Sequence, residues 1–567
     1  MISPPIIITV CLLLCGLVFA PAGHAANTWY VATNGTPSGS GTLSSPYDLA
    51  TALSGTVGGP GDVFWLRGGT YVIGHIDTKI QGAPGQPITF QPRPGEQPRV
   101  NGSLSFFESA GYVVLRDFEL FSSDANRVST QTNAGFDPTD INPITGIASY
   151  SPNMSFINLI MHDETREGIY ISHEGSNNLI YGCVLFNNGW RSPDNAEGHG
   201  IYVQGSEGTR EVADNIVFNN AGVGLHIYAN DPGQDLAGII LDGNVAFNAG
   251  AIQSVRDYRD WIVGVDAPSI TADQIVFKNN MGYFPLSPSQ ENLAQIGREG
   301  VNGSVAILNN YLPAGLEVNN WFIAAVSGNT LAAQSAFCAV DLNQAETFLW
   351  AAWNNNRYAL LQGSGGFMNG STALNFSGWQ TATGFDANST CRPENMSGTQ
   401  IFIRTNRYAA GRANIIVYNW DTLTNVAVDV SSVLAPGATY EVRNAEDFFG
   451  PPMLSGRFNG QPLTLPMRGL TVAVPNGAMN TPPPTGPAFN VFVVLPSSIW
   501  LQVEATAGQV KLSWPTNAGS WILQSAATLG SGNWADVTNA PLVVGGTNVV
   551  TDAILGNTRL YRLRLAQ

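Results

Sequence analysis

Short apolar runs that alternate with polar residues recur along the middle of the chain. The first four copies share a β-branched run, a polar turn residue, a second run ending in Phe or Met, an Asn or Asp turn, and then Gly and a third run. The alternation has a period of two, and the runs are too short for helices, so they predict strands. The copies occupy residues 156–172, 179–205, 212–230, 239–250, 274–284 and 305–312.

The first turn residue of each copy aligns the repeats at intervals of 25 to 36 residues. The aligned residues are Asn158, Cys183, Asn215, Asn244, Asn280 and Asn310. A repeat that cannot bury its apolar side alone is stabilised by stacking on its neighbours. Three short strands per turn, each pairing in parallel with the next copy, give a parallel β-helix. Asn tolerates the left-handed turn conformation and can hydrogen-bond the next copy as a ladder.

The amino-terminal segment carries a second pattern. Residues 27–73 contain a first strand, a short helix at about 46–54 and the strand sequence GDVFWLRGGTY at 61–71. This segment resembles the opening of right-handed parallel β-helix proteins of the pectate-lyase-like superfamily, and the resemblance covers roughly residues 27–330. It implies an all-β coil with a capped end. Because that superfamily includes lyases, hydrolases, epimerases, tailspikes and adhesins, it implies no single activity.

The order of these patterns predicts four segments. An apolar run at 5–20, followed by small residues, predicts a signal peptide at 1–25 and therefore secretion to the periplasm or the exterior. The predicted β-helix with its amino-terminal cap covers 26–335, a β-sandwich covers 336–496, and a small β-module covers 497–567. That last segment resembles C-terminal modules of secreted bacterial proteins. No later run is long and apolar enough to span a membrane, and we expect a monomer.

The charge of the chain and its cysteine content restrict which ligands and which disulfide bonds are expected. The chain has 25 basic and 41 acidic residues, a net charge of −16, which excludes charge-driven nucleic-acid binding as a general property. Removing the signal peptide leaves Cys183, Cys338 and Cys391, and no spacing typical of a metal site. Because Cys183 falls at an expected core position, Cys338–Cys391 is the predicted pair if a disulfide forms.

The repeat alignment predicts which side chains are neighbours. With Gly168, Gly200 and Gly224 in register, Glu167 stacks on His199. Side chains alternate between the two faces of a strand, so a polar and aromatic set points outward: Tyr170, Tyr202, His226, Gln204 and Tyr228. This face is interpreted either as a glycan-binding groove or as an ordinary solvated sheet with an aromatic ladder.

Two insertions favour a groove. The turn at 187–200 is enlarged and contains Trp190, Arg191, Asp194 and Glu197, and the excursion at 249–268 contains Trp261. Insertions on one side of a stacked coil build walls, and the tryptophans offer flat apolar faces to sugar rings.

These positions yield a hypothesis about roles. Adjacent rungs are about 4.8 Å apart, so Glu167 is predicted to orient His199 and raise its pKa for acid–base catalysis. Asp194 or Glu197 would supply a further carboxylate. The predicted substrate-binding residues are Trp190, Arg191, Tyr170, Tyr202, His226, Tyr228 and Trp261.

Three functions remain open, each with a polysaccharide as partner. A glycoside hydrolase without a cofactor is slightly favoured. A polysaccharide lyase would use His199, Tyr202 or His226 as base, and Arg191, Arg166 or calcium to neutralise a uronate, but this face has no lysine. The third is a non-catalytic glycan-binding or surface protein. The tripeptide Gly198-His199-Gly200 is similar to a polygalacturonase motif, but that family's paired aspartates are not evident.

Overall fold

The structure is a computed structural model. It describes residues 26–107, 109–133, 135–267, 269–284, 293–333, 338–344, 348–360, 366–497, 501–506, 509–515, 521–527, 534–544, 547–553 and 559–565. The predicted signal peptide at 1–25 lies outside these residues. Among the helices described, none combines the length and hydrophobicity needed to cross a membrane.

The predicted all-β parallel β-helix is confirmed. From Thr28 to Arg392 the chain winds as a coil with three parallel faces, called here the first, second and third sheets. The first sheet has the strands Thr28–Val31, Val63–Leu66, Ile88–Pro92, Val113–Arg116, Met154–Ile157, Asn178–Tyr181, Arg210–Ala213, Ile239–Asp242, Ile275–Lys278, Asn302–Leu308, Trp321–Ser327 and Trp350–Asn354.

The second and third sheets share two long strands, Gly69–Thr78 and Pro98–Phe106, that run across both faces. The second sheet continues with Glu119–Phe121, Ile160–His162, Val184–Phe186, Ile216–Phe218, Val245–Phe247, Met281–Tyr283, Tyr311–Leu312, Thr330–Ala332, Arg357–Ala359 and Thr390–Arg392. The third sheet continues with Ile147–Ser149, Ile169–Ile171, Ile201–Val203, Leu225–Ala229, Trp261–Val265, Ala294–Ile296, Leu316–Asn319, Val340–Asn343 and Phe367–Asn369, and the antiparallel strand Thr372–Leu374 pairs with the last of these.

A helix closes each end of the coil. The predicted amino-terminal helix is present at Leu49–Leu53 and begins at Asp48, whose side chain accepts a hydrogen bond from the Thr51 N–H at 2.7 Å. At the other end, the helix Phe376–Thr383 buries Trp379 against Phe367 and Trp353. Both helices bury apolar side chains against the end of the stack.

The asparagine ladder is confirmed and is longer than predicted. Each Asn oxygen accepts the backbone N–H of the preceding rung's ladder residue, at 2.8 to 3.1 Å. Asn329 and Asn356, which the repeat alignment missed, extend it past Asn310. The ladder therefore satisfies buried backbone groups along one corner of the coil.

Substitution of a central ladder residue tests this account. In Asn244→Ala, the Asn215 N–H and amide lose their acceptor, and the Val212 carbonyl loses a donor at 2.7 Å. Leaving buried groups unpaired should lower the free energy of unfolding by about 3 kcal/mol. Urea unfolding followed by tryptophan fluorescence measures the change. Asn230→Ala, at an exposed position, is the control, and equal midpoints for the two variants would contradict the ladder's role.

The coil extends beyond the predicted boundary at 335. Thr330–Ala332 pairs in parallel with Arg357–Ala359, which pairs with Thr390–Arg392. The repeat pattern is obscured there because the rungs shorten to 19 residues between Asn310 and Asn329, and a helix is inserted before the last strand. The coil therefore ends near Arg392.

A two-sheet sandwich follows the coil. One sheet is antiparallel, with the strands Thr399–Thr405, Ala413–Asn419, Phe489–Pro496, Thr439–Asn444 and Leu454–Arg457 in spatial order, and the other pairs Asn425–Val428 with Leu463–Pro466. A short 3₁₀ helix, Ala445–Asp447, follows the fourth of these strands. The outer side of the larger sheet packs on the second sheet of the coil, where Phe489 contacts Phe247. The second sheet is therefore covered.

The carboxy-terminal segment forms two more antiparallel sheets. One contains Gln502–Thr506, Gln509–Pro515, Thr547–Ala553 and Leu542–Val544, and the other contains Ala535–Asp536, Trp521–Ala526 and Leu560–Leu565. Trp514 is buried with Leu512 and Val550 in the core of this unit.

The predicted Cys338–Cys391 disulfide is wrong, because both thiols are free. Cys391 lies on a strand of the second sheet, whereas Cys338 is buried just before a strand of the third. The two residues therefore belong to different faces of the coil.

Candidate functional site

The third sheet has the predicted register. Tyr170 pairs with Tyr202, and Tyr202 pairs with His226. The alternate residues Ile169, Ile201 and Leu225 are fully buried in the coil. The outward positions of three successive rungs therefore form vertical columns, as the alignment of the glycines predicts.

Five aromatic side chains contact one another in succession along this face. They are called here the aromatic band: Tyr150, Tyr170, Tyr202, His226 and Tyr228. Their successive ring centroids are 6.0, 5.2, 4.8 and 4.5 Å apart. Each ring is half-buried. The band is a continuous apolar surface with polar edges, a combination that suits the faces of sugar rings.

Hydrogen bonds hold the phenols of the band. The Tyr170 hydroxyl donates to Gln204 Oε1 at 2.7 Å, and Gln204 Nε2 donates to the Tyr202 oxygen at 3.0 Å. The Tyr228 hydroxyl donates to Asp266 Oδ2 at 3.1 Å. Burial raises the pKa of Tyr170 and Tyr202 and, with the negative charge of Asp266, raises that of Tyr228 to about 12. All three phenols are therefore neutral at physiological pH.

A pair of histidines lies beside the band. The Val223 N–H donates to His199 Nδ1 at 2.9 Å, so the proton of neutral His199 is on Nε2. That nitrogen lies 3.1 Å from His226 Nδ1, to which it can donate. Burial lowers the pKa of His199 to about 4 and that of His226 well below its usual value. Both imidazoles are neutral near pH 7.

The prediction that Glu167 raises the pKa of His199 above its usual value is wrong. The charge of Glu167 does act to raise the pKa of His199, but burial outweighs it. Glu167 instead accepts a hydrogen bond from Thr145 at 2.5 Å and pairs with Arg166 at 3.3 Å. The side chain is therefore a fixed carboxylate near the histidines and does not orient the imidazole.

The carboxyl group of Glu197 has a pKa far from its usual value. Burial and the negative charge of Glu167 raise its pKa to about 7. Its two oxygens lie 3.7 Å from His199 Nε2 and 3.5 Å from the Tyr258 hydroxyl, and 10% of its side chain remains exposed. Glu167, Glu197, His199 and His226 are called here the acid–imidazole cluster. Two carboxyl groups in different environments within one cluster are a combination found at acid–base catalytic sites.

Comparison with known proteins identifies the coil that carries this cluster. Residues 29–260 match the family model "Pel9A-like, right handed beta helix region". The predicted resemblance to right-handed β-helix proteins is therefore confirmed. No curated protein matches the chain.

Solved structures to which the chain is similar include a rhamnogalacturonan lyase, with 16% identity, 58% of this chain and 84% of that chain covered, and a TM-score of 0.43. They also include pectate lyase Pel9A, with 15% identity, coverage of 59% and 80%, and a TM-score of 0.37. GH136 lacto-N-biosidase from Eubacterium ramulus has 12% identity, coverage of 65% and 67%, and a TM-score of 0.39.

Residues 29–260 contain the whole acid–imidazole cluster, but two residues predicted at the site are placed elsewhere. Trp190 and Trp261 are only 0% and 1% exposed, so the prediction that they stack on sugars is wrong. Trp261 pairs with Leu225 and points into the coil, where it packs on Phe277 at 5.0 Å. Trp190 is fully buried on the first strand of the enlarged turn.

The enlarged turn at 187–200 is a two-stranded ribbon, in which Trp190–Arg191 pairs with Ala196–Glu197. Asp194 lies at its exposed tip and accepts hydrogen bonds from the Asn133 N–H and the Ser192 hydroxyl. Arg191 donates to the Ala478 carbonyl at 3.0 Å. Asp194 is predicted to act in catalysis and Arg191 to bind substrate. In the structure, both side chains make contacts that hold the ribbon in place.

Sequence reasoning missed the loop at 122–145 and its fully buried Arg127. The guanidinium donates to the carbonyls of Gly189, Asn187 and Asn476 and pairs with Asp163 at 3.1 Å. Arg127 thus ties the loop to the ribbon and to the segment that crosses from the sandwich. In the sequence, the only sign of this loop is the long interval between the strands at 119–121 and 147–149.

The described residues do not fit a calcium site of the kind that a lyase would use. Among them, no three His, Cys, Asp or Glu side chains are close enough to hold a metal. The carboxylates along the band already have partners, as Glu167 has Arg166 and Asp266 has Arg298 at 2.6 Å. In the turn at 231–235, Asp235 accepts hydrogen bonds from Thr271.

Proposed function

We propose that the protein cleaves polysaccharides bound along the aromatic band, and that it does so by glycoside hydrolysis. The observation that carries the proposal is the raised pKa of Glu197, about 7, beside a second carboxyl group and a surface suited to sugars. The match of residues 29–260 to a Pel9A-like family supports a carbohydrate substrate. The apolar segment at 5–20 supports action outside the cytoplasm.

The two carboxyl groups have different roles in this proposal. Glu197 is protonated in a large fraction of molecules at neutral pH, so it can donate a proton to the leaving glycosidic oxygen. Glu167, held by Thr145 and Arg166, supplies the negative charge that stabilises the developing positive charge on the anomeric carbon. Because both histidines are neutral, they add no positive charge that would lower the pKa of Glu197.

Substrate binding is assigned to the phenols and ring faces of the band. Tyr170, Tyr202 and Tyr228 offer half-buried rings to the apolar faces of sugars and oxygen atoms to their hydroxyl groups. The ribbon at 190–197 and the loop at 249–260 flank this surface. Tyr258, which approaches Glu197 and Ala196, joins these two walls.

Incubation of the protein with a panel of glycans tests the proposed function. New reducing ends without ultraviolet absorption from an unsaturated product support hydrolysis. An unsaturated product would establish elimination instead. Saturable binding with no product over long incubation would replace the proposal by a non-catalytic glycan-binding role.

The pH profile provides an independent test. If protonated Glu197 is the general acid, activity falls as pH rises through about 7, by about tenfold per pH unit on the alkaline side. The sign follows from the raised pKa, because only the protonated form donates. Initial rates between pH 5 and about 9 on one substrate measure the profile. A rate that stays constant across this limb would exclude Glu197 as the acid.

A further inference from the structure

We infer, on the basis of the proposed function, that the substrate is a neutral glycan without uronate or sulfate groups. The reason is that the two arginines at the ends of the aromatic band, Arg166 and Arg298, are already paired with carboxylates. Recognition of a polyanion requires arginine or lysine side chains that are available to pair with it. Over residues 147–298, which include most of the site, 17 acidic residues stand against 7 basic ones.

Arg166 is the cation nearest to Glu167. It pairs with Glu167 at 3.3 Å and with Asp137 at 3.0 Å, and 32% of its side chain is exposed. A uronate that approached Arg166 would meet both carboxylates. The cost of displacing them would offset the new ion pair.

Arg298 lies at the other end of the band. It pairs with Asp266 at 2.6 Å, donates to Gln295 Oε1 at 3.1 Å, and its guanidinium is 5.4 Å from the centre of the Tyr228 ring. Because Asp266 also accepts the Tyr228 hydroxyl, the arginine is part of the scaffold of the band.

The other cations of this stretch also have contacts within the protein, with carboxylates for Arg259 and Lys278 and with neutral groups for Arg256, Arg191 and Arg210. Arg256 donates to Asn195 at 2.8 Å and lies 5.2 Å from the Tyr258 ring centre, where its charge acts on Glu197. Arg259 pairs with Glu317 at 2.5 Å, and Arg191 and Arg210 donate to backbone carbonyls. Lys278, the only lysine of the stretch, pairs with Asp242 on the first sheet at 3.4 Å.

A neutral substrate also decides the chemistry. Elimination removes a proton next to a carboxylate, which must be neutralised to make that proton acidic. A glycan without carboxylates has no such proton. The cleavage that remains is hydrolysis: Glu197 protonates the leaving oxygen as the glycosidic C–O bond breaks, the hydroxyl of water bonds to the anomeric carbon, and the other proton of that water restores Glu197.

Affinity electrophoresis with polymers that differ only in charge tests the inference apart from catalysis. The pairs are polygalacturonate with its carboxyl-reduced form, and alginate with its carboxyl-reduced form, together with uncharged glucans, xylans, mannans and galactans. We expect retardation by at least one neutral polymer and at least tenfold weaker retardation by each polyuronate. Stronger retardation by a polyuronate, or retardation by no polymer, would overturn the inference. Retardation by a neutral polymer that is never cleaved would overturn only the proposed function.

Asp266→Asn provides a second test. The substitution leaves Arg298 without its carboxylate partner, so polyuronate binding should increase severalfold relative to the unmodified protein. Asp231→Asn removes a charge near the same rung, in an exposed turn, without releasing an arginine, and is the matched control. Equal polyuronate binding by the two variants would contradict the role given to the Arg298–Asp266 pair.

Discussion

Substitution of Glu197 by Gln is expected to lower kcat by about 10² to 10⁴, the usual contribution of a general acid. The amide keeps the shape of the side chain and its neighbours Tyr258 and His199, but it has no acidic proton to transfer to the leaving oxygen. KM should change little, because the aromatic band is untouched. Steady-state rates on the best neutral polymer of the panel measure both constants.

The control for this variant is Glu207→Gln, at an exposed turn of the same rung. It should retain full activity. Thermal unfolding of both variants establishes that the fold is intact. If Glu197→Gln is folded and as active as Glu207→Gln, the acid–imidazole cluster is not the catalytic centre.

The architecture could be predicted because it depends on a pattern that the backbone imposes. Parallel stacking requires equivalent residues at equivalent places, so Asn215, Asn244 and Asn280 occupy one turn and Tyr170 and Tyr202 one column. Alignment of the repeats did not reveal the last rungs of the coil, which carry Asn329 and Asn356. The interval from Asn310 to Asn329 is much shorter than the others, although the hydrogen bond between these residues is the same.

The chemistry of the site was less predictable because burial does not follow from register. His199 lies beside a carboxylate, which favours a raised pKa, yet the loops that cover it lower its pKa to about 4. Trp190 and Trp261 were predicted to be exposed because tryptophan in an insertion is a common sugar platform. The ribbon folds Trp190 inward, and the register places Trp261 on the inner side of its strand.

Substitution of Arg127 by Met should have the largest effect on stability. The guanidinium is fully buried and donates to the carbonyls of Gly189, Asn187 and Asn476 while pairing with Asp163. Met fills a similar volume but leaves the three carbonyls without this donor and removes the positive charge beside Asp163, which keeps the Asn476 N–H and His162 as partners. Removal of one partner from a buried ion pair costs about 3–5 kcal/mol, so we expect the free energy of unfolding to decrease by that amount in urea titrations.

A variant at an exposed ion pair distinguishes the loss of the buried contacts of Arg127 from the mere loss of a positive charge. Arg93 pairs with Glu96 at 2.7 Å, but 41% of its side chain is exposed, so Arg93→Met should cost less than about 1 kcal/mol. Arg127 also fixes the ribbon that carries Glu197, since it holds the Gly189 carbonyl next to Trp190. Arg127→Met should therefore reduce activity even under conditions where it is fully folded, whereas Arg93→Met should not. Full activity and unchanged stability of Arg127→Met would show that the ribbon is positioned without the loop at 122–145.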